Sequence, residues 1–445
     1  MTFTSDFLIK NPVEVVDLLV KQHFDNNISG DCAEFVIDTF KEHFNNDLII
    51  EEIPLAHPLT PKDSRLIKFT GLIHQNNFEP EYFPSGHRDG VNFGYFKTTT
   101  FDQIDDDHNV GFKDTKFKER KQIHVRQVFS GELSNIALRL FYYDSHLDNV
   151  PLNSLHTFIG FFEDSAESSE SHEDSIFHVL FSIPSTDQRP SIDDLKTVPE
   201  FPEKLELLKY FCASRVNRVH GEAIGAFALN LYNVDCDSKF EEINALIRQC
   251  FPSVKVIKVN GKDLDNKDLC PKFDAETGLL AIGELQCAPG TCFLLDEREL
   301  ECGQLSERAT KNMKALINLV QRGIVLYTFP LIDDIEVPVD CPCLIVSKEK
   351  SLLPANWRVN VKDISIADVI IPDDCKEFFQ VVRHAKCDFS DELALTIEKS
   401  VTEKKVPLNR LHDILTLTKL IAASKLSDQV TLSDWQRALL LFNQS

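Results

Sequence analysis

The stretch Thr291–Glu297 reads TCFLLDE, and it decides the fold of the region around it. An apolar run of this length is typical of a strand buried on both faces, and this one ends directly on two carboxylates, Asp296 and Glu297. In P-loop ATPases a core strand ends in the same way, because the Asp holds Mg²⁺ and the Glu polarises water. A structural strand that runs into an acidic turn has the same pattern, since Asp is common in turns. The stretch predicts a buried strand and leaves the role of its two acids open.

Outward from this strand, short apolar runs alternate with segments of helical periodicity. Strands followed by helices in this way imply an α/β region with a mostly parallel sheet that is covered on both faces. The predicted strands are 226–231, 254–259, 291–295, 324–329 and 343–347, and the predicted helices are 203–217, 240–249 and 309–321.

The segments on either side of this region do not alternate strand and helix in this way. Upstream, Asn11–Phe44 has the spacing of two helices, and strand-like runs follow at 66–73, 122–129, 136–143 and 176–183. Downstream, Asp374–Ser445 is mainly helical, and Thr431–Asp434 resembles a capping box before the last helix. Prolines cluster between Pro184 and Pro202. We therefore expect a helical plus β-rich α+β domain at 1–185, a Pro-rich linker at 186–202, an α/β domain at 203–373 and a helical domain at 374–445.

The sequence lacks the phosphate-binding motif of an ATPase. A P-loop needs G-x-x-x-x-G-K-[ST], whose amides cradle phosphates while the Lys contacts the β and γ oxygens, and no such string occurs. The nearest glycine pair, Gly221 and Gly225, has the wrong spacing, has no Lys and carries Glu222 where phosphate would bind. Gly261-Lys262 has no leading glycine. We therefore expect an ATPase-like sheet without ATPase chemistry.

Other catalytic and metal-binding patterns are equally lacking. The sequence contains no G-x-S-x-G, H-E-x-x-H or G-x-G-x-x-G string. Its 12 cysteines include no C-x-x-C pair, so we expect buried reduced thiols rather than zinc ligands, and a cytosolic or nuclear compartment. We expect no catalytic residues, no metal site and no cofactor.

The charge balance argues against nucleic acid as a direct ligand. Lys and Arg number 47 against 70 Asp and Glu, a net charge of −23, whereas phosphate binding needs clustered cations. The basic cluster Lys113–Lys121 contains Asp114 and Glu119, so a solvated face is favoured over a phosphate contact or a nuclear-import signal. The acidic loop Glu163–Asp174 is expected to be a solvated loop or disordered. No membrane segment is expected, because the longest uncharged apolar stretch, Gly323–Ile332, is far shorter than the ~20 residues of a membrane span.

Three strings along the chain share a pattern with one protein family. Arg65–Phe83 reads RLIKFTGLIHQNNFEPEYF, Leu285–Leu305 contains LQCAPGT, LDE and GQL in that order, and Ser347–Pro354 reads SKEKSLLP. Together they resemble the minichromosome maintenance (MCM) complex-binding proteins, whose corresponding strings are R-L-V-x-F-R-G-M-I, LQLA-x-GT with DE and GQL, and S-E-G-[KR]-S-L-L-P. The chain departs from that family at Ser130–Asn135, where its Trp is missing, and at Gly225-Ala226, which replaces Gly-Lys.

The resemblance implies a fold and a partner. Members of that family resemble the MCM helicase subunits that they bind: Thr291–Glu297 is similar to the Walker B strand of those subunits, and Leu426–Ala438 to the end of their ATPase lid. The implied architecture is a degenerate AAA+ ATPase-like central domain with a C-terminal helical lid-like domain. The implied function is a non-enzymatic adaptor or chaperone of MCM helicase subunits that supports their stability or assembly. It would also help the complex leave chromatin during replication, in the nucleus with a cytoplasmic pool.

Two functions of other classes stay open on the sequence. A degenerate but active ATPase would have to bind nucleotide without a P-loop Lys, which removes the charge that meets the β/γ-phosphates. A DNA-binding replication factor is opposed by the net charge. The sequence does not specify which MCM subunit is bound or the oligomeric state.

Overall fold

The structure is a computed structural model that divides into two units, Met1–Asp187 and Gln188–Ser445, each with its own core. Within them it describes residues 3–44, 53–56, 59, 64–76, 78–88, 91–97, 116–129, 132–143, 150–162, 176–184, 198–219, 222–301, 303–330, 332–403 and 406–444.

The first unit begins with the helices α1 (Ser5–Lys10), α2 (Pro12–Asp25) and α3 (Cys32–His43). Both helices predicted between Asn11 and Phe44 are confirmed, and α1 precedes them. The start of α3 is fixed by Asp31, whose carboxylate accepts the Ala33 amide hydrogen at 2.8 Å. The apolar faces of the three helices share one core with residues of the following sheet.

The β-strands of this unit close into a barrel. In the described residues, the strands are β1 (Ile67–Gln75), β2 (Glu81–Arg88), β3 (Val91–Phe93), β4 (Lys116–Phe129), β5 (Glu132–Tyr142), β6 (Leu155–Phe162) and β7 (Ile176–Pro184). The pairing runs β1–β4–β5–β7–β6 and back to β1, antiparallel except for β5 with β7. This closed five-strand Greek-key order is that of an OB-fold barrel, and β2 and β3 extend it beside β4.

The sequence reasoning missed three of these strands, β2, β3 and β6. Strand β6 reads LHTFIGFF and has aromatic or aliphatic residues on both faces, because Phe158 packs inside the barrel and Phe161 packs against the helices. A strand covered on both faces has no period-two alternation to detect.

The second unit is built on a parallel sheet. Its strands in chain order are β10 (Leu229–Tyr232), β11 (Ser253–Lys258), β14 (Thr291–Asp296), β17 (Cys343–Ser347) and β18 (Trp357–Asn360). Every pairing in this sheet is parallel, and the spatial order is β11-β14-β17-β10-β18. Smaller two-stranded sheets are β8–β9 (Asn217–Val219, Glu222–Ile224), β12–β13 (Lys272–Asp274, Leu279–Ala281) and β15–β16 (Ile324–Tyr327, Ile335–Pro338).

Helices cover both faces of the parallel sheet, as the alternating pattern predicted. They are α4 (Glu206–Cys212), α5 (Asp237–Cys250), α6 (Gly261–Asn266) and α7 (Glu307–Arg322). All six residues of β14 are buried. Leu294 lies in the core that includes α4 and α5, while its neighbours Phe293 and Leu295 are equally buried on the other face.

The prediction that 324–329 joins the main sheet is wrong. Strand β15 forms there, but it pairs antiparallel with β16 instead. The edge position beside β10 is taken by β18, which sequence reasoning missed. Its residues Trp357 and Val359 alternate in burial with Arg358 and Asn360, a short pattern that is easily hidden in a loop.

The C-terminal helices share the core of the parallel sheet. They are α8 (Cys375–His384), α9 (Asp391–Thr402), α10 (Leu411–Ala423) and α11 (Leu432–Gln444), and the short strands β19 (Asp388–Phe389) and β20 (Gln429–Val430) pair among them. One bond of the predicted capping box forms, because Asp434 accepts the Thr431 amide hydrogen at 2.9 Å, while Thr431 Oγ1 donates to the same carboxylate. No helix in the described part of the chain is both long and apolar enough to span a membrane.

The barrel carries a histidine whose protonation we expect to oppose folding. Burial, Arg139 and His74 together lower the pKa of His124 from 6.5 to about 4. The Gln122 amide lies 2.8 Å from His124 Nε2, and Phe78 packs on the ring. The unfolded chain binds a proton near pH 6.5 and the folded chain does not, so stability falls as the pH drops from about 6.5 to 4. The loss amounts to about 3 kcal/mol.

We predict that His124→Phe removes this part of the acid sensitivity, because Phe does not titrate. Hydrogen exchange of the barrel amides at pH 7 and pH 4.5 measures it. Tryptophan fluorescence is the internal control, since Trp357 and Trp435 lie in the second unit. Equal acid sensitivity of the barrel in both proteins would contradict the assignment.

Candidate functional site at the carboxyl edge of the parallel sheet

The carboxyl ends of parallel strands meet at one edge of the sheet, and this edge is where ligands bind in α/β proteins. In the second unit the strand order changes direction at β10, which lies between β17 and β18. The loops that follow β10, β14 and β17 therefore converge there. They bring together Asn233, Asp296, Glu297 and the segment Ser351–Leu353.

Asp296 is paired with a cation of its own chain. Arg298 donates from Nε and Nη2 to the two carboxylate oxygens of Asp296, at 2.8 and 2.9 Å. Its Nη1 donates to Asp237 at 2.9 Å, and its guanidinium lies 4.3 Å from the Phe240 ring centroid. The bond with Asp296 raises the pKa of Arg298. Both oxygens of the Asp296 carboxylate are therefore already bound by a guanidinium of the same chain.

Glu297 is hydrogen-bonded to the loop that follows β17. One of its carboxylate oxygens accepts the Leu352 amide hydrogen at 3.2 Å. Burial raises the pKa of Glu297, while hydrogen bonds from Ser351, Leu352 and Leu353 act in the opposite direction. The side chain is 6% exposed, so it is poorly placed to polarise a solvent water.

A buried asparagine fastens the same loop to the sheet. Asn230, in β10, donates to the Ile345 carbonyl at 3.2 Å and to Ser347 Oγ at 2.8 Å. Its own carbonyl accepts the Ser351 amide hydrogen at 3.1 Å. Strand β10 and the string Ser347–Pro354, one of the strings on which the resemblance was based, are thus joined by hydrogen bonds. Sequence reasoning assigned Asn230 no role.

The loop that joins β10 to α5 begins with two amides that are already hydrogen-bonded. In P-loop proteins the phosphate-binding loop joins a core strand to the helix that follows it, and here Asn233–Cys236 joins β10 to α5. The Asn233 and Val234 amides donate to the Lys348 and Ser347 carbonyls at 3.0 and 3.1 Å. Lys239, in the first turn of α5, donates to the Val361 carbonyl.

The loop that sequence reasoning compared with a P-loop lies elsewhere. Gly225 precedes β10, so it is at the amino end of that strand and not at the carboxyl edge. Its φ is +85°, and a Cβ there would lie 2.8 Å from the Arg215 carbonyl oxygen, so glycine is required by the backbone. The loop that joins β10 to α5, Asn233–Cys236, contains no glycine, so a glycine motif does not identify it.

The basic cluster Lys113–Lys121 is partly outside the described residues. Within it, Arg120 is 4% exposed, donates to both carboxylate oxygens of Glu81 and stacks on Phe141. Lys118 pairs with Asp31. A solvated face is therefore the wrong description of Arg120, which is a structural residue of β4.

Comparison with known proteins identifies the family. A family model described as "Mini-chromosome maintenance replisome factor" matches residues 207–444, which is more than half of the chain. The chain belongs to this family. The match contains the whole carboxyl edge described above.

Similar curated proteins have been named for their partner. Proteins named "Mini-chromosome maintenance complex-binding protein" from Danio rerio, Gallus gallus and Homo sapiens are 26%, 28% and 25% identical over 236, 238 and 238 residues. Each alignment covers 48% of this chain and 37% of the relative. The chain thus matches little more than a third of the length of these relatives.

We predict that Asp296→Asn and Arg298→Met each destabilise the second unit by about 2–4 kcal/mol, because each leaves a buried polar partner uncompensated. The double variant should lose less than the sum of the two single losses. Urea unfolding followed by tryptophan fluorescence measures these losses.

The exposed pair Asp268 and Arg308, whose side chains are 74% and 50% accessible, provides the matched control. Asp268→Asn and Arg308→Met should each cost less than about 1 kcal/mol. Additive losses for the Asp296 and Arg298 changes, or losses as small as the control, would contradict the pairing.

Proposed function

We propose that this protein is a non-enzymatic adaptor or chaperone of MCM helicase subunits. The observation that carries the proposal is the family match over residues 207–444, together with relatives that are named for binding the MCM complex. In this proposal the protein supports the stability or assembly of MCM subunits and helps the complex leave chromatin during replication. It would act in the nucleus, with a cytoplasmic pool.

We further propose that the second unit is a degenerate AAA+ ATPase-like domain with a lid-like group of C-terminal helices. The sheet order supports this proposal, because the first strand lies between the fourth and the fifth, and the third ends on the acid pair. An ATPase-like fold also suits a protein that associates with ATPase subunits, since related folds can use similar surfaces to assemble.

The carboxyl edge supports a non-catalytic role. The Arg298 guanidinium and the carbonyls of Ser347 and Lys348 already bind the groups that would serve metal and phosphate. Asp237 and Asp235 follow β10 at the place where a P-loop has its Lys, and carboxylates there repel a triphosphate.

We predict that Mg-ATP leaves the melting temperature of the full chain unchanged. A ligand at 1,000 times its dissociation constant would stabilise the folded state by ~4 kcal/mol, so millimolar ATP would reveal micromolar binding. Differential scanning fluorimetry with and without Mg-ATP is the measurement. An increase in melting temperature that EDTA reverses and Asp296→Asn abolishes would favour the active-ATPase alternative.

We predict that the full chain binds purified MCM subunits, and that deletion of Glu163–Asp174 leaves this binding intact. That loop has no apolar residue larger than Ala, so it offers no anchor for an interface. Size-exclusion chromatography with each subunit in turn is the assay. If no MCM subunit co-elutes with the intact chain, the adaptor proposal fails.

Truncation before Pro407 is not a usable test of the interface. The last two helices contribute Ile414, Leu417, Ile421, Trp435 and Leu441 to the core of the second unit, so their removal would expose that core. Point variants of exposed residues are required instead.

A further inference from the structure

A cavity of about 450 Å³ lies in the second unit, along one side of α10. The opposite face of this helix, with Ile414, Leu417 and Ile421, is buried. The cavity face consists of residues spaced three and four apart, so they form one continuous stripe: His412, Leu415, Thr416, Lys419, Leu420 and Ala423. The end of α8 and strand β19 form the facing wall.

The floor of the cavity is apolar and its arginines already have partners. Val382, Leu415 and Phe389 contribute apolar surface. Arg215 is paired with Asp340 at 3.0 Å, and Arg383 donates to the Cys212 carbonyl at 2.7 Å. These two guanidinium groups hold the wall together and need no ligand.

The rim of the cavity carries lysines without carboxylate partners. Lys386 and Lys419 are exposed, and within the described residues neither lies within ion-pair distance of an Asp or Glu. The Lys419 ammonium lies 5.4 Å from the Phe389 ring centroid. Asp388 is the carboxylate among the lining residues. In a chain of net charge −23, two free lysines beside an apolar cavity are a local reversal of sign.

We propose that this cavity docks an acidic amphipathic peptide segment of the partner protein, with an apolar side chain in the cavity and carboxylates at Lys386 and Lys419. The proposal rests on the adaptor function proposed above and names the chemistry of the partner. A peptide is favoured over a small anion because one wall of the cavity is a continuous helix stripe with apolar surface and the buried arginines are already bonded. Electrostatic repulsion disfavours an acidic segment over most of this acidic chain, and the two lysines reverse it here.

The test uses a fluorescein-labelled peptide in which Leu recurs at helical spacing among Glu residues, and the full chain. Fluorescence anisotropy should show saturable binding of the peptide. The double variant Lys386→Glu, Lys419→Glu should raise the dissociation constant at least ~10-fold. Lys376→Glu with Lys399→Glu changes the net charge equally, at exposed lysines outside the cavity, and should weaken binding less than ~3-fold.

A cavity-filling variant separates docking from simple charge attraction. Thr416→Trp leaves the charge unchanged and should abolish peptide binding, provided that a circular-dichroism melt shows a folded protein. If it unfolds, Thr416→Leu is the substitute, with partial loss expected. Wild-type affinity in a folded cavity-filling variant, or equal weakening by both lysine pairs, would overturn the proposal.

The same variants distinguish this inference from the proposed function. Reduced binding of an MCM subunit by the Lys386 and Lys419 changes, but not by the control pair, supports both. Full binding of MCM subunits by every variant would overturn the cavity as the docking site and leave the adaptor function standing. If the wild-type chain binds no MCM subunit, the adaptor function fails whatever the peptide does.

Discussion

The complete burial of β14 is the constraint on which the carboxyl edge of the sheet depends. The strand is covered on both faces, and burial continues through its last residue, Asp296, which is 5% exposed. A buried carboxylate is costly unless it is paired and hydrogen-bonded. Arg298, two residues further on, supplies both, and its remaining donor reaches Asp237 at the start of α5. The arginine that pairs with the last residue of this strand therefore also contacts the helix that follows β10.

The same two acids would serve different purposes in an active ATPase and in this chain. A catalytic site keeps the carboxylate open to a metal ion and leaves backbone amides free for phosphate. Here the Asp296 carboxylate is paired with Arg298, and the Asn233 and Val234 amides donate to neighbouring carbonyls. Glu297 orders the Ser351–Leu353 loop instead of a water. These bonds stabilise the folded unit. They are also a physical reason for the lack of ATPase activity that we propose for this site.

The net negative charge of the chain does not show where its Arg and Lys side chains lie. Arg120, Arg298 and Arg383 are held by internal partners and stack on aromatic rings, so they contribute little to the charge of the surface. Exposed lysines such as Lys386 and Lys419 then contribute more to the surface potential, because in the described part of the chain they are not paired with a carboxylate. A partner that is itself acidic can approach this chain favourably where such lysines adjoin apolar surface.

The local elements with strong periodicity could be predicted from the sequence. Strands β14 and β17, helices α5 and α7, and the cap at Thr431–Asp434 follow from apolar spacing and capping chemistry, which depend on neighbours in the chain. Only the tertiary structure decided which strands pair: β15 left the main sheet, β18 joined it, and β1 and β4–β7 closed into a barrel. The roles of Asn230, Arg298 and Lys386 likewise depend on residues distant in sequence. No local pattern encodes them, because a hydrogen bond or a free charge is defined by the groups that folding brings close.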